Sequence, residues 1–338
     1  MYESLVATFS KASLAEPNVK AVDVSEDPEL GYTDFTTSLD LCDGSEFEVQ
    51  LSWSAPDGSP VIPEVPLEYV PNFEPAAMPN QHRLIQVRYC VSKMKSFIDS
   101  IVLDNGTYFI HPSTYPEDEM PSAYQDAVSV CALYRQVTPR NRQRVFQILN
   151  NKVNLLIQDS FTASWNVSEI LLAVQSLILY QVIRIFDGDS TQRYNAELHF
   201  KLLGIWTGYL QRAYPEAEQT SSLRTPYQQW VLLESIRRTV MISVLLRSLY
   251  CTIRTGICDL AHLLAILPVS SNGALWKVDE SKWVEEMNSG GACINSFRGF
   301  IINWNSGNDV KIEGYEKVLL SACPSALGTA AWSLSDKE

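Results

Sequence analysis

Histidine and the short motifs of common catalytic sites are scarce in this sequence. Its 338 residues include only 4 histidines, and none has a carboxylate or cysteine at metal-ligand spacing. There is no glycine loop for a phosphate, no G-x-S-x-G elbow and no H-E-x-x-H helix. We therefore expect no catalytic, cofactor-binding or metal-binding residues. Structural, hydrogen-bonded roles are predicted for the histidines, with a metal site assembled from distant parts of the fold as the alternative: His82, His111, His199 and His262.

Paired cysteines are also lacking. The 7 cysteines are scattered and odd in number, without the dense spacing of a secreted disulfide scaffold. We interpret them as reduced thiols of a cytosolic or nuclear protein. Cys251 and Cys258 have a spacing found in six-cysteine zinc clusters, but the two C-x-x-C pairs of such a cluster are absent. Buried, inert thiols are the better interpretation of this pair.

No long hydrophobic run occurs either. The longest apolar stretch, residues 170–183, is interrupted by Gln175, Ser176 and Gln181 and is too short to span a bilayer. Residues 1–20 lack the basic, apolar and small-residue progression of a signal peptide. We expect neither a membrane span nor secretion.

An excess of positive charge is missing. The formal net charge is −13, and residues 1–80 hold 15 Asp and Glu against two lysines, while the remainder is balanced. Nucleic-acid binding usually needs a basic face, so no direct sequence-specific DNA binding is expected. The densest basic patch is Arg140, Arg142 and Arg144. We expect an internal salt bridge there, with import-receptor or phosphate contact as the alternative.

Residues 1–80 are predicted to form a flexible arm. Acidic and bulky apolar residues alternate first, and a proline-rich stretch follows, which neither a helix nor a central strand can cross. This composition is found in activation segments. A solvated tail or a short strand pair is the other interpretation, favoured because acidic tails are common.

Residues 81–338 have the apolar period of helices, which predicts an all-α fold, a multi-helix α-α array. The first helix should end at Asn105-Gly106, and the second should start near Pro121. Thr138 should cap the third and Ser168 the fourth. Two more should run over residues 191–214 and 225–255. The second helix is predicted to bury Tyr124, Val128, Cys131 and Leu133.

The predicted helix over residues 225–255 has the clearest pattern. Apolar residues from Trp230 onward follow one face, and Glu234 stands one turn before Arg238 in the order that favours an ion pair. A short helix should follow and end at Leu267-Pro268, after which Trp276 and Trp283 supply large apolar groups.

The order of these elements resembles the regulatory domain, or middle homology region, of fungal zinc-cluster (Zn2Cys6) transcription factors, without the zinc cluster. The resemblance covers roughly residues 80–290. Its signature residues, mostly structural, are Phe109, His111, Pro112, Trp230, Glu234, Arg237, Arg238, Leu267, Pro268, Leu275 and Trp276. The resemblance implies an all-helical domain of a nuclear transcription regulator, especially one encoded in a secondary-metabolite gene cluster.

The leading hypothesis is a regulator or co-regulator of fungal transcription that acts through protein contacts and is not an enzyme. Its partners would be the transcription machinery or a DNA-binding paralogue, and homo- or heterodimers fit the same hypothesis. The alternative is a repurposed helical domain, a biosynthetic enzyme or a small-molecule-binding protein. Its pocket would be lined by Trp206, Trp230 and Trp276.

Overall fold

Helices dominate the part of the chain that the structure describes. The structure is a computed structural model that describes residues 81–162, 165–219, 224–256, 258, 260–270, 272–289, 293–306, 312 and 314–322. The all-α prediction is confirmed for these residues. The predicted arm, residues 1–80, lies outside them.

The helices follow one another through short connections. In chain order they begin with α1 (Gln81–Leu103), α2 (Ser122–Arg135), α3 (Arg142–Thr162), α4 (Val167–Asp187), α5 (Ser190–Arg212) and α6 (Tyr214–Gln219). They continue with α7 (Pro226–Thr255), α8 (Ala261–Ile266), α9 (Glu280–Ser289), α10 (Phe297–Asn305) and α11 (Gly314–Ala322). Short 3-10 turns occupy Pro112–Thr114, Glu117–Glu119 and Gly273–Lys277.

Two strands interrupt the helical pattern near the end of the described chain. These are β1 (Pro268–Ser270) and β2 (Ile294–Ser296), which pair antiparallel with Val269 opposite Asn295. The ribbon packs against α10, and β1 also contacts α7. Strands of 3 residues are too short to show an alternating pattern in the sequence.

The core is built around α4 and α7. Helix α4 packs against α1, α2, α3, α5 and α7, and every residue from Leu171 to Ile185 is buried. By length and composition alone α4 could span a membrane. However, 83% of the 18-residue apolar stretch that meets these criteria is buried inside the protein. A core helix meets the same criteria, so this is weak support for a membrane span.

The limits of α7 agree with the prediction. Thr225 caps the helix by accepting from Gln228 N, while the Gln228 side chain accepts from Thr225 N, and Pro226 occupies the first turn. The helix ends at Gly256, whose φ of 79° is a left-handed conformation that glycine adopts without strain.

Two local predictions are wrong, and a third differs only in where the regular helix begins. The cap of α4 is Asn166, not Ser168, because the Asn166 side chain accepts from the backbone N–H groups of Ser168 and Glu169. Thr138 makes the predicted capping contact, since its Oγ1 accepts from Asn141 N at 3.4 Å and the Asn141 side chain accepts from Thr138 N at 2.6 Å, although the regular helix α3 begins at Arg142. The other error concerns the buried face of α2.

Helix α2 turns a different face to the core from the predicted one. Tyr124 and Cys131 are buried as expected, but Val128 is only half-buried and Leu133 is 42% exposed. Ala127 and Val130 take the predicted inner positions instead. The sequence alone allows both faces, and contacts with α1, α3 and α4 decide between them.

Candidate functional site

Three charged residues meet inside the protein at the middle of α7. Arg238 donates from Nε to Glu234 Oε1 at 2.7 Å, and Arg237 donates from Nε to Glu234 Oε2 at 2.9 Å. The three residues, here called the arginine–glutamate network, are between 1% and 5% exposed. The predicted pairing of Glu234 with Arg238 is confirmed. The second partner, Arg237, is an addition to the prediction.

Arg237 connects the network to α6. Its Nη1 donates to the hydroxyl of Tyr214, the first residue of α6, and its guanidinium lies 5.8 Å from the centre of the Tyr214 ring. The Glu234 carboxylate and the tyrosine therefore share one cation. This contact fixes the start of α6 against α7.

Arg238 connects the network to three other segments. Its Nη1 donates to the carbonyl oxygen of Tyr108 at 3.3 Å. Its guanidinium lies 4.3 Å from the ring centres of both Trp276 and Tyr315. Aromatic faces attract a cation that has lost its water, so the two rings partly compensate the burial of Arg238.

The charges of the network stabilise one another in the ionised state. Burial alone would raise the pKa of Glu234, but the charges and hydrogen bonds of Arg237 and Arg238 outweigh burial and lower it. Burial alone would lower the pKa of Arg237, but Glu234 and Tyr214 raise it. Glu234 and Arg237 therefore stay charged near neutral pH.

A turn at residues 107–112 forms the second part of the site. Thr107 Oγ1 accepts from the backbone N–H groups of Phe109 and Ile110, and Thr107 N donates to Ile110 O at 2.8 Å. The Thr107 carbonyl also accepts from Trp276 Nε1 at 3.1 Å. The turn is thus held internally and is attached to the 3-10 turn that carries Trp276.

Buried polar side chains of α4 and α7 bind the same turn. The Phe109 carbonyl accepts from Gln175 Nε2 at 2.8 Å and from Thr239 Oγ1 at 3.3 Å. Gln175 Oε1 in turn accepts from the Tyr115 hydroxyl at 2.7 Å. A glutamine inside the longest apolar stretch is therefore a hydrogen-bonding centre of the core, which explains its position there.

His111 closes the site on the side of Trp276. Its ring meets the Trp276 ring edge-on, with 4.9 Å between ring centres, and its Nδ1 accepts from Ser113 N at 3.1 Å. Burial lowers the pKa of His111 to about 4, and the charge of Arg238 acts in the same direction. His111 is therefore neutral near neutral pH and is hydrogen-bonded within the fold.

An aromatic cluster lies next to this site, at the first turns of α7. Its buried members are Tyr227, Trp230, Val231, Leu275, Trp276 and Trp283. The ring centre of Trp230 lies 6.4 Å from the ring centre of Trp276 and 5.8 Å from that of Trp283. Trp276 thus belongs both to this cluster and to the surroundings of Arg238.

The structure brings most of the signature residues together. Phe109, His111 and Pro112 lie in or beside the 107–112 turn, next to the network and the aromatic cluster. Leu267 and Pro268 lie elsewhere, at the start of β1, where Phe297 N donates to the Leu267 carbonyl at 2.7 Å. These two residues anchor the ribbon.

Two neighbours of the network lie outside the predicted signature. Tyr315 and Glu316 are consecutive residues of α11, and both are buried. A Cβ at position 273 would be 2.8 Å from the Glu316 carboxyl carbon, so a larger residue at Gly273 would have to displace that carboxylate. Helix α11, which carries Tyr315 and Glu316, follows the region of resemblance. Nothing in the short sequence of α11 indicates a contact with α7.

The predicted three-tryptophan pocket is not assembled in the structure. Trp206, on α5, packs edge-on against Trp165 with 5.2 Å between ring centres. Trp230 and Trp276 instead belong to the aromatic cluster, of which Trp206 is not a member. The prediction fails because tryptophans on separate helices carry no information about which helix faces they share.

The arginine patch divides into one bound and two exposed residues. Arg142 donates to the carbonyl oxygen of Asp187 at the end of α4, and its guanidinium lies 4.9 Å from the centre of the Phe146 ring. Its partner is therefore a backbone group and a ring, not the acidic side chain of the predicted salt bridge. Arg140 and Arg144 are exposed, and within the described chain they have no ion pair.

The interpretation of Cys251 and Cys258 as buried thiols is wrong. Both are partly exposed, because they lie at and beyond the C-terminal end of α7, where the helix leaves the core. Cys90 and Cys131 are the buried thiols among the described cysteines, and burial raises the pKa of each to about 12. In the described ranges no group of three or more His, Cys, Asp or Glu side chains is placed to hold a metal ion.

Comparison with known proteins gives one informative similarity. The chain is 30% identical over 209 residues to "Transcription factor gsfR2" of Penicillium aethiopicum. The chain is similar to a fungal transcription factor. The match covers 59% of this chain and 50% of the relative, so the chain spans about half the length of the relative that it matches. No family model matches the chain, and no solved structure matches it.

Proposed function

We propose that this chain is a regulator or co-regulator of fungal transcription that acts through protein contacts. The observation that carries this proposal is the 30% identity, over 209 residues, to the transcription factor gsfR2. The same similarity favours a non-enzymatic role. A nuclear location and a role in a secondary-metabolite gene cluster are further parts of the proposal, and they rest on the resemblance of the signature residues to zinc-cluster regulators.

The arrangement of the site supports a scaffold for protein contacts. The arginine–glutamate network is almost fully enclosed, and its charges are used in hydrogen bonds and ring contacts within the fold. It joins α6, α7, the 107–112 turn, the 3-10 turn of Trp276 and α11. A rigid helical body of this kind presents fixed outer surfaces to a partner.

A gene deletion with complementation tests the proposal. Transcripts should be measured in the deletion strain, in the same strain carrying the wild-type gene, and in a strain expressing a fluorescent fusion. We expect a coordinated change in a set of transcripts, its reversal by the wild-type gene, and fluorescence in the nucleus. Unchanged transcripts together with a fusion protein outside the nucleus would overturn the proposal.

One observation favours small-molecule binding as a second candidate function. Within the described residues, the indole N–H groups of Trp230 and Trp283 are buried without an acceptor, and both belong to the aromatic cluster. A ligand with an oxygen acceptor and an apolar body would satisfy them. Thermal unfolding in the presence of a panel of aromatic carbonyl compounds tests this function. A shift in the wild type that is lost in Trp283→Phe supports it, and no shift with any compound argues against it.

A further inference from the structure

A row of apolar side chains on α5 faces solvent. Tyr194, Leu198, Ile205 and Tyr209 are 61%, 51%, 43% and 49% exposed. Their spacings of four and seven residues place them along one side of the helix. The opposite side of α5, with Ala196, Leu203 and Leu210, is buried against α4 and α7. The exposed row is therefore a second apolar face of a helix that already has its core face covered.

Positive charges lie within and beside this row. Lys201 and Arg212 are exposed on the same side of α5 by helical spacing, and the Arg212 guanidinium lies 4.8 Å from the Tyr209 ring centre. Glu197, near the edge of the face, is already bound by Arg254 at 3.0 Å and by the Tyr250 hydroxyl. The local charge is positive, in contrast to the net charge of −13 of the whole chain.

Arg247 of α7 lies against Gly204 of α5 and lacks a partner among the described residues. No described residue accepts a hydrogen bond from its guanidinium or forms an ion pair with it, and its Nε is fully enclosed. Burial lowers the pKa of Arg247 to about 10, so it remains charged. A partly buried charge without a counter-ion is costly, and a carboxylate placed there would gain both an ion pair and hydrogen bonds.

Gly204 makes room for this arginine. A Cβ at position 204 would be 2.6 Å from Arg247 Nη1, so any other residue would displace the guanidinium. The glycine lies on α5 between Leu198 and Tyr209, toward the α7 side of the exposed row. Arg247 therefore lies beside Gly204, which is one residue, about 100° around α5, from Ile205 of the apolar row.

We propose that this surface binds an acidic, apolar-rich amphipathic segment of a protein partner, with one of its carboxylates paired to Arg247. We call the surface the α5 face and define it by Tyr194, Leu198, Lys201, Ile205, Tyr209 and Arg247. An amphipathic partner helix would bury its apolar side on the row and direct its acidic residues to the cations. The inference rests on the proposed function, because it specifies the partner chemistry for the protein contacts invoked there.

The charges of the face argue against two other occupants. A second copy related by a two-fold axis would bring the same cations of both faces together, which is unfavourable. A nucleic acid would meet a row of apolar side chains with few cations, which is the reverse of a phosphate-binding surface. An acidic and apolar protein segment matches both features.

Binding of designed peptides to the purified full chain tests the inference. The probe is a fluorescein-labelled amphipathic peptide with Leu and Phe on one helical side and Glu at the other positions, and the control peptide has Lys in place of Glu. We expect only the acidic peptide to bind, with an affinity that falls as salt is raised. Leu198→Asp and Arg247→Gln should each weaken binding about tenfold, as expected for central interface residues.

Ile302→Asp provides the matched control, because Ile302 of α10 is 52% exposed and lies outside the α5 face. This variant should bind the acidic peptide like the wild type. Thermal unfolding of each variant shows whether it remains folded, and Arg247→Glu should bind the lysine peptide in place of the acidic one. This exchange of preference cannot arise from unfolding.

Two results would overturn the inference. The first is equal binding of both peptides, or binding that Leu198→Asp leaves unchanged. The second is a dimer in sedimentation that Leu198→Asp dissociates, since a second copy would then occupy the face. Because these measurements use purified protein, their failure is distinct from a failure of the proposed function, which is measured in transcripts.

Discussion

Arg238 Nε lies 2.7 Å from Glu234 Oε1 in a region where Glu234 is 1% exposed. Arg237 shares the same carboxylate, so one negative charge faces two positive charges inside the protein. Replacing a whole buried ion pair by apolar residues often leaves stability unchanged, but removing one partner leaves a buried charge uncompensated. The network is thus a point where single substitutions have large effects.

Glu234→Gln should destabilise the fold by about 3–5 kcal/mol, because it leaves two buried guanidinium groups without a counter-ion. The free energy of unfolding from urea denaturation measures this loss. The matched control is Asp99→Asn, which breaks the exposed ion pair of Asp99 with Arg135 at 2.8 Å. The control should lose less than about 1 kcal/mol. Equal losses of unfolding free energy in Glu234→Gln and Asp99→Asn would contradict the burial of uncompensated charge in the arginine–glutamate network.

Arg238→Lys tests the ring contacts of the guanidinium. Lysine keeps the charge, but it lacks the planar group that lies between Trp276 and Tyr315 and donates to Tyr108. We expect a loss of about 1–3 kcal/mol in the free energy of unfolding. Arg135→Lys, at the exposed pair with Asp99, should change stability by less than about 0.5 kcal/mol. If Arg238→Lys left the free energy of unfolding unchanged, the charge alone would matter at position 238.

The neutral state of His111 should make stability depend on pH. Its pKa is lowered from 6.5 to about 4 in the folded protein. Between these values the unfolded chain binds more protons, so the free energy of unfolding falls as the pH drops from 6.5 toward 4. The full effect is about 3 kcal/mol for this one residue, at about 1.4 kcal/mol per pH unit. His199, whose pKa is also lowered to about 4, adds in the same direction.

Urea denaturation at pH 7, 6 and 5 measures this dependence. His111→Asn keeps an acceptor for Ser113 N and should reduce the slope by the contribution of one proton. If the free energy of unfolding depended on pH equally in wild type and in His111→Asn, this would contradict the lowered pKa of His111.

Asn166→Ala and Ser168→Ala decide which residue caps α4. Asn166 accepts from Ser168 N at 2.9 Å and from Glu169 N at 3.1 Å, and Glu169 in turn accepts from Asn166 N. Loss of this capping box should cost about 1 kcal/mol in the free energy of unfolding. Ser168→Ala should cost less than about 0.5 kcal/mol, because Ser168 is a half-buried first-turn residue without a cap role. A larger loss for Ser168→Ala than for Asn166→Ala would show that Ser168 is the cap, as the sequence predicts.

Long elements with clear end signals are predictable from this sequence. Helix α7 has both a threonine cap followed by proline and a terminal glycine, so its limits agree with the structure. The cap of α4 is less certain from sequence because Asn166 and Ser168 are both good capping residues. Only the extended backbone of Asn166, with ψ of 173°, distinguishes them.

The site is predictable only where it follows helical spacing. Glu234 and Arg238 stand four residues apart, and their pairing follows from the geometry of a helix. The burial of this pair and its contacts with Tyr108, Trp276 and Tyr315 join segments far apart in the chain. Such contacts depend on tertiary packing, which local patterns do not encode. The three-tryptophan pocket fails for the same reason.

Acute depletion of the protein, followed by a time course of transcripts and metabolites, tests the central claim most directly. A regulator acts on transcripts first, so we predict that a coordinated set of transcripts changes before the corresponding metabolites do. A strain carrying Leu198→Asp in place of the wild-type residue should show the same transcript set altered. Metabolite changes that precede transcript changes, or that occur without them, would contradict a role in transcription and favour the small-molecule function.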